Sequence, residues 1–133
     1  STIRFSPYAF VDTVNDIQLN RTEMSDTQKL HFWGNYDGTG EPINLTLPAY
    51  FDKFVYNADF MLNSAVSVNK YQAKGNSANN LKEAYPGCDF VEYYYKGDST
   101  KTDAMDWSCL RLVFKQVADK AYLVGIVHDQ WTI

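Results

Sequence analysis

The sequence is poor in the residues on which several classes of function depend. It has only two histidines, His31 and His128, among its 133 residues. A histidine-rich metal site is therefore excluded, and a Ser-His-Asp triad would have to use one of these two. The G-x-S-x-G, H-E-x-x-H, P-loop and G-x-G-x-x-G motifs are also missing from the sequence. No motif therefore indicates a particular enzyme activity or a cofactor.

Basic residues are also few, and they are interspersed with acidic ones. The chain has 12 Lys and Arg against 16 Asp and Glu, and its formal net charge is −4. It has no basic stripe of the kind that binds phosphates, so neither nucleic acid nor an anionic membrane surface is an expected partner. The longest apolar stretches are far shorter than the roughly 20 residues of a spanning helix, so we expect no membrane span.

Cys88 and Cys109 are the only cysteines, and we expect both to be free thiols. If residues 88–96 and 107–118 pair as an antiparallel hairpin, Cys109 faces the neighbourhood of Tyr94. Cys88 then lies about six residues further along, on the order of 20 Å away. A disulfide cannot span that distance.

What the chain does have is the length and apolar content of one globular domain, spanning residues 1–133. Aromatic residues are plentiful, with Tyr 10, Phe 8 and Trp 3. The chain begins Ser1-Thr2 and carries two Asn-x-Thr sequons, at Asn20 and Asn44. These features favour a secreted or extracytoplasmic protein that is processed or is part of a longer one.

The clearest helix is expected over 47–60, with Thr46 as its N-cap and Pro48 in its first turn. Its apolar residues, including Phe51 and Phe54, recur at three- and four-residue spacing. Residues 1–20 are expected to form an irregular or extended arm, and 22–33 suit either a helix or a strand. Asp37-Gly38 indicates a hairpin turn before a strand at 43–47.

The last third of the sequence predicts an antiparallel meander. Strands are expected at 88–96, 107–118 and 121–128, and a further strand is expected at 64–74. The first two meander strands are joined by a polar loop over 97–106, and the last two by a tight turn at Asp119-Lys120. One or two helical turns are expected between Asn79 and Tyr85.

The last strand, Lys120 to His128, is similar in pattern to the closing strand of many NTF2-like domains, although Tyr122 stands where a Trp is commoner. A helix-containing N-terminal half followed by a meander also resembles the cystatin-like and NTF2-like rolls. This resemblance covers roughly residues 47–133. It implies an α+β fold in which helices pack on a curved antiparallel sheet. The segments 107–114 and 127–132 are similar to small uncharacterised domains of bacterial cell-envelope proteins.

His128 is the sharpest candidate for a catalytic residue. A histidine near neutral pKa at the mouth of a sheet could act as a general base. Asp129 points to the opposite face of the strand, so another acid, such as Asp106, would have to orient the imidazole. The alternative is a strand-end histidine that hydrogen-bonds to a neighbouring loop.

Four further residues are candidates for binding. Arg111 and Glu92 are expected a few positions out of register on neighbouring strands, either as a solvent-facing ion pair or with Arg111 binding an acidic ligand inside the roll. Tyr94 belongs to a run of tyrosines that suits core packing or a ligand-stacking platform, and Trp131 lies close to His128. Loop carboxylates such as Asp37 and Asp103 lack the spacing of a calcium loop, so no metal is expected.

These features favour a non-catalytic secreted or envelope-associated domain that binds a small ligand or a protein partner. The first alternative is a small NTF2-like pocket enzyme, an isomerase, dehydratase or hydrolase, with His128 as its base. The second is an assembly module that forms a homodimer through an edge strand or an exposed sheet face.

Overall fold

A computed structural model describes residues 1–72, 79–97 and 106–130 of the chain. Within those ranges the backbone forms eight strands and four short helices. In chain order they are β1 (Thr2–Ser6), β2 (Gln18–Asn20), α1 (Arg21–Met24), β3 (Leu30–Asn35), β4 (Pro42–Thr46), α2 (Leu47–Phe54), α3 (Phe60–Asn63), β5 (Ala65–Val68), α4 (Leu81–Ala84), β6 (Asp89–Tyr95), β7 (Ser108–Val117) and β8 (Lys120–Gln130).

Six of these strands form one sheet, in the order β2-β1-β8-β7-β6-β5, while β3 and β4 form a separate hairpin. The strands β5 to β8 are antiparallel to one another. The meander expected at the C-terminal end is therefore confirmed. Beyond it, β1 pairs with β8 in parallel, with Phe5 opposite Ile126. The sheet is consequently mixed.

The expected α+β roll, with helices packed on a curved antiparallel sheet, was wrong. Of the described residues, 44% are in strands and 17% are in helices. The longest described helix, α2, has only 8 residues. Residues 1–20, expected as an arm, instead supply β1 and β2, which extend the sheet past β8. The partner of β1 lies at the other end of the chain, so the local sequence pattern of residues 1–20 could not reveal the pairing.

The register between β6 and β7 agrees with the one expected from the sequence. Cys109 pairs with Tyr94, and both Cys88 and Cys109 are free thiols. The turn between β7 and β8 lies one residue earlier than expected, at Ala118-Asp119. Ala118 adopts φ 56°, a left-handed conformation that tight hairpins require.

The expected helix begins where the sequence indicated but ends early. Thr46 is its N-cap and accepts a hydrogen bond from the Ala49 N–H at 3.3 Å. The helix stops at Phe54 rather than at residue 60, and Asp59 then caps α3 by accepting from the Leu62 N–H at 3.3 Å. Aspartate favours a cap over a helix interior, which explains the division into two helices.

The β3–β4 hairpin resolves the ambiguous segment 22–33. Helix α1 ends at Met24, and β3 begins at Leu30. The expected turn follows, closed by a hydrogen bond from the Tyr36 N–H to the Glu41 carbonyl at 2.7 Å. Gly38 adopts φ 89° within this turn. The first strand of this hairpin forms one wall of the cavity described below.

Apolar side chains cover both faces of the main sheet. One face carries Phe5, Leu110 and Ile126, which pack with α2 and the hairpin. Phe54 on α2 is buried in this core, whereas Phe51 is 37% exposed. The opposite face carries Phe90, Val113 and Val127, which pack with Val11, Leu81 and Tyr85. Each face therefore has its own core.

Gly125 in β8 is required by the close approach of Tyr85. A Cβ at Gly125 would lie 2.4 Å from the Tyr85 hydroxyl and 2.7 Å from its Cζ. We therefore expect Gly125→Ala to lower the free energy of unfolding by about 1–3 kcal/mol, because the overpacked tyrosine must move. Urea unfolding checks this value. Combining it with Tyr85→Leu should remove most of the Gly125→Ala penalty, and equal penalties in both backgrounds would contradict the contact.

Candidate functional site

A cavity of about 590 Å³ lies between the segment 7–16 and strand β3. We call it the acidic–aromatic cavity. Its lining combines two carboxylates, two amides and four aromatic rings, which are Asp12, Asp16, Asn15, Asn35, Tyr8, Phe10, Phe32 and Trp33. Among the described residues that line it there is no Lys, Arg or His. The cavity is therefore negatively charged with partly apolar walls.

Local hydrogen bonds fix the acidic wall of this cavity. Asp12 Oδ1 accepts from the Val14 and Asn15 N–H groups, both at 3.0 Å, which is an aspartate turn. Asp16 Oδ2 accepts from the Ser6 hydroxyl at 2.5 Å and from the Asp12 N–H at 2.9 Å. Both bonds go to one oxygen, so Asp16 Oδ1 has no hydrogen-bond partner in the described part of the chain.

The two carboxylates differ in their electrostatic environment. Hydrogen bonds from the Asn15 side chain and from backbone N–H groups hold the pKa of Asp12 below its usual value. Burial raises the pKa of Asp16, and its bonds to Ser6 and Asp12 only partly oppose this effect. Asp12 thus stabilises the local turn. Asp16 is half-buried, and one of its oxygens accepts no hydrogen bond from the described residues.

Two aromatic rings stand open at the rim of the cavity. Phe10 and Phe32 are 56% and 55% exposed. Deeper in the wall, Trp33 is buried and stacks on Tyr50 with ring centroids 4.0 Å apart. The cavity therefore has exposed apolar groups at its entrance and a buried, stacked aromatic wall behind.

Tyr50 lies behind Trp33, which is part of the cavity wall. Tyr50 is fully buried, and its hydroxyl has no hydrogen-bond partner among the described residues. Burial raises the pKa of Tyr50 well above its usual value, and the neighbouring charges of Asp16 and Tyr8 raise it further. Both of those residues line the cavity, whereas Tyr50 itself does not.

Arg111 and Glu92 do not form the solvent-facing pair expected from the sequence. They are direct register partners on β7 and β6, and both are fully buried. Arg111 Nη2 lies 3.4 Å from Glu92 Oε1 and 3.2 Å from Asp129 Oδ2. Because a fourth residue, Tyr71, covers the guanidinium with its ring at 5.1 Å, the cluster is shielded from water.

Two further contacts of this buried charge cluster are also internal. The Cys109 thiol donates to Glu92 Oε1 at 2.9 Å, and the Gln72 N–H donates to Glu92 Oε2 at 2.6 Å. Burial raises the pKa of the Cys109 thiol far above its usual value, so the thiol stays protonated. Burial also raises the pKa of Asp129, although the Arg111 charge opposes it.

His128 lies in the core rather than in a cavity. It is fully buried, with its ring edge-on to Phe54 at 5.7 Å. Its Nε2 is 2.7 Å from Gln130 Oε1, so Gln130, two residues along the same face, orients the imidazole. Burial lowers the pKa of His128 to about 4, which leaves it neutral at pH 7.

The other candidates from the sequence do not converge on His128. The Asp106 carboxyl lies against Gly97, where a Cβ would be 2.2 Å from Oδ1. The Tyr94 ring packs against Trp107, with centroids 6.2 Å apart. Trp131 and Asp103 lie outside the described residues.

Neither the acidic–aromatic cavity nor a second cavity of about 320 Å³ beside α4 is lined by the described candidate site residues from the sequence, which are His128, Asp106, Arg111, Glu92 and Tyr94. The signal for the larger cavity is weak in the sequence. It consists of two aromatic residues, Tyr8 and Phe10, followed by two acidic ones, Asp12 and Asp16, and the facing wall comes from β3, which is distant in the chain.

Comparisons with protein-family models, with curated proteins and with solved structures found no match. They neither confirm nor refute the resemblance seen in the last strand. Across the described ranges, no helix is both long and apolar enough to cross a membrane. The same residues contain no group of three or more His, Cys, Asp or Glu side chains that could hold a metal ion.

Proposed function

We propose that this chain is a non-catalytic binding domain whose acidic–aromatic cavity takes a small organic ligand. One observation carries the proposal: exposed rings and a carboxylate oxygen with no hydrogen-bond partner face the same cavity. Its volume, about 590 Å³, lies in the range of small-molecule sites. Its aromatic rings and its fixed polar groups are both features of such sites.

The fold supports this proposal because it holds the cavity walls rigidly. The acidic segment is tied to β1 through the bond from Ser6 to Asp16. The opposite wall is held by Trp33, whose indole N–H donates to the Leu45 carbonyl at 2.8 Å. Phe10 and Phe32 belong to neither core cluster of the described residues and are more than half exposed, so their rings are accessible to a ligand.

The proposal is tested by screening aromatic fragments with neutral, cationic or anionic groups against the ¹⁵N-labelled protein. We expect hits to shift the amide resonances of residues 7–16 and 32–35. In the double variant Phe10→Ala/Phe32→Ala, affinity should fall about tenfold, because two ring contacts of about 0.5–1.5 kcal/mol each are removed.

A matched control is Tyr122→Ala, which removes a ring that is 48% exposed on β8. This variant should leave fragment binding unchanged. Both proteins should stay folded, because exposed substitutions cost little stability. If no fragment shifts the cavity resonances, or if both variants weaken binding equally, the proposed function is wrong.

The pocket-enzyme alternative has less support from the geometry. A general base must reach its substrate within hydrogen-bond distance, whereas His128 is fully buried and lines neither cavity. Its pKa of about 4 also makes it a weak base at neutral pH. Secretion or envelope association, and homodimer formation, stay predictions from the sequence.

A further inference from the structure

We propose that the ligand of the acidic–aromatic cavity is a small organic cation, an ammonium group attached to an apolar body. This inference rests on the proposed function and names the chemical class of the occupant. It follows from the oxygen atoms, the net charge and the rings that share the cavity.

The carboxylate of Asp16 can accept more hydrogen bonds than the described residues donate to it. Asp16 Oδ2 is satisfied by Ser6 and Asp12, while Oδ1 has no partner among the described residues. An ammonium group supplies up to three donors and so suits the carboxylate oxygen of Asp16 that the described residues leave without a donor.

The charge around the cavity also favours a cation. Asp12 and Asp16 contribute two carboxylates, and no described lining residue is basic. The nearest cation whose charge acts on both is Arg4. Its guanidinium lies over the Tyr85 ring at 5.8 Å and donates to the Thr13 carbonyl at 3.5 Å. Arg4 does not line the cavity, so an anionic ligand would meet unpaired negative charge there.

The rings at the rim suit the remainder of such a ligand. A cation near a phenyl face is attracted by the ring quadrupole, and an apolar body gains by removing Phe10 and Phe32 from water. Both rings are more than half exposed without a ligand. A purely inorganic cation would leave them exposed, so an organic cation fits better than a metal ion.

Three compounds with the same phenyl body test the charge. They are 2-phenylethylammonium, 2-phenylethanol and 3-phenylpropionate, titrated at pH 7 with amide shifts as the readout. We expect the cation to bind at least about tenfold more tightly than the alcohol, since a hydrogen bond to a charged group contributes about 1.5–3 kcal/mol. The carboxylate should bind most weakly.

The variant Asp16→Asn tests whether the negative charge of Asp16 attracts the cation. The amide oxygen of Asn can still accept from Ser6 and Asp12, so the fold is retained while the negative charge is lost. Binding of 2-phenylethylammonium should fall by about tenfold or more, whereas binding of 2-phenylethanol should change little. The control Asp52→Asn removes an exposed carboxylate of α2 and should leave both affinities unchanged.

The outcomes separate this inference from the proposed function. If fragments bind in the cavity but the alcohol or the carboxylate has an affinity equal to or higher than that of the ammonium compound, the inference of a cationic ligand is wrong. The proposed binding site is retained in that case. Equal losses for the cation in Asp16→Asn and Asp52→Asn would also overturn it. If no fragment of any charge perturbs the cavity, the proposed function itself fails.

Discussion

Arg111→Met is expected to lower the free energy of unfolding by about 3–5 kcal/mol, the usual cost of removing one partner from a buried ion pair. The substitution keeps the length of the side chain but leaves the Glu92 and Asp129 carboxylates buried without their shared cation. Two carboxylates in one apolar interior disfavour ionisation strongly. Urea unfolding at pH 7 measures the change.

The control for this substitution is Lys115→Met in the same strand. Lys115 is exposed, and its replacement should change stability by less than about 0.5 kcal/mol. A loss in Arg111→Met no larger than in the control would show that the cluster is hydrated. Adding Glu92→Gln and Asp129→Asn to Arg111→Met should recover part of the loss, because no uncompensated charge then remains buried.

The strand register expected from the sequence already predicted one contact of this cluster. Pairing Cys109 with Tyr94 places Arg111 opposite Glu92, so the two charges could have been brought together from the sequence. Their burial could not, because charged residues in strands usually face solvent. The groups that cover them, Tyr71 and the backbone of Gln72, precede β6 by many residues and have no strand or helix pattern of their own.

Long-range contacts account for the other differences between expectation and structure. The Thr46 cap and the β7–β8 turn are local, and the sequence indicated both. The parallel pairing of β1 with β8 joins the two ends of the described chain, and no local period encodes it. The acidic–aromatic cavity depends in turn on β1, because Ser6 holds Asp16 in place.

His128 should make the fold sensitive to mild acid. In the unfolded chain its pKa is near 6.5, whereas burial lowers the pKa in the folded protein to about 4. Between these values the unfolded state binds more protons, so stability falls as the pH drops from about 6.5 to about 4. At 1.36 kcal/mol per pH unit this single group accounts for a loss of about 3 kcal/mol.

Other groups act in the opposite direction over part of this range. Burial raises the pKa of Asp16 and of Asp129, so the folded state takes up those protons first and gains stability on acidification. The total pH dependence therefore mixes several groups. The contribution of His128 is isolated by comparing the protein with His128→Gln, whose side chain cannot gain a proton in this range.

The difference in unfolding free energy between the protein and His128→Gln should shift by about 3 kcal/mol between pH 7 and pH 4, in favour of the variant at low pH. Urea unfolding at intervals of half a pH unit gives this curve. In a separate NMR titration, the imidazole resonances of folded His128 should move near pH 4 and not near 6.5. Parallel stability curves for the two proteins would mean that the imidazole is open to water, because burial beside Phe54 is the main cause of its lowered pKa.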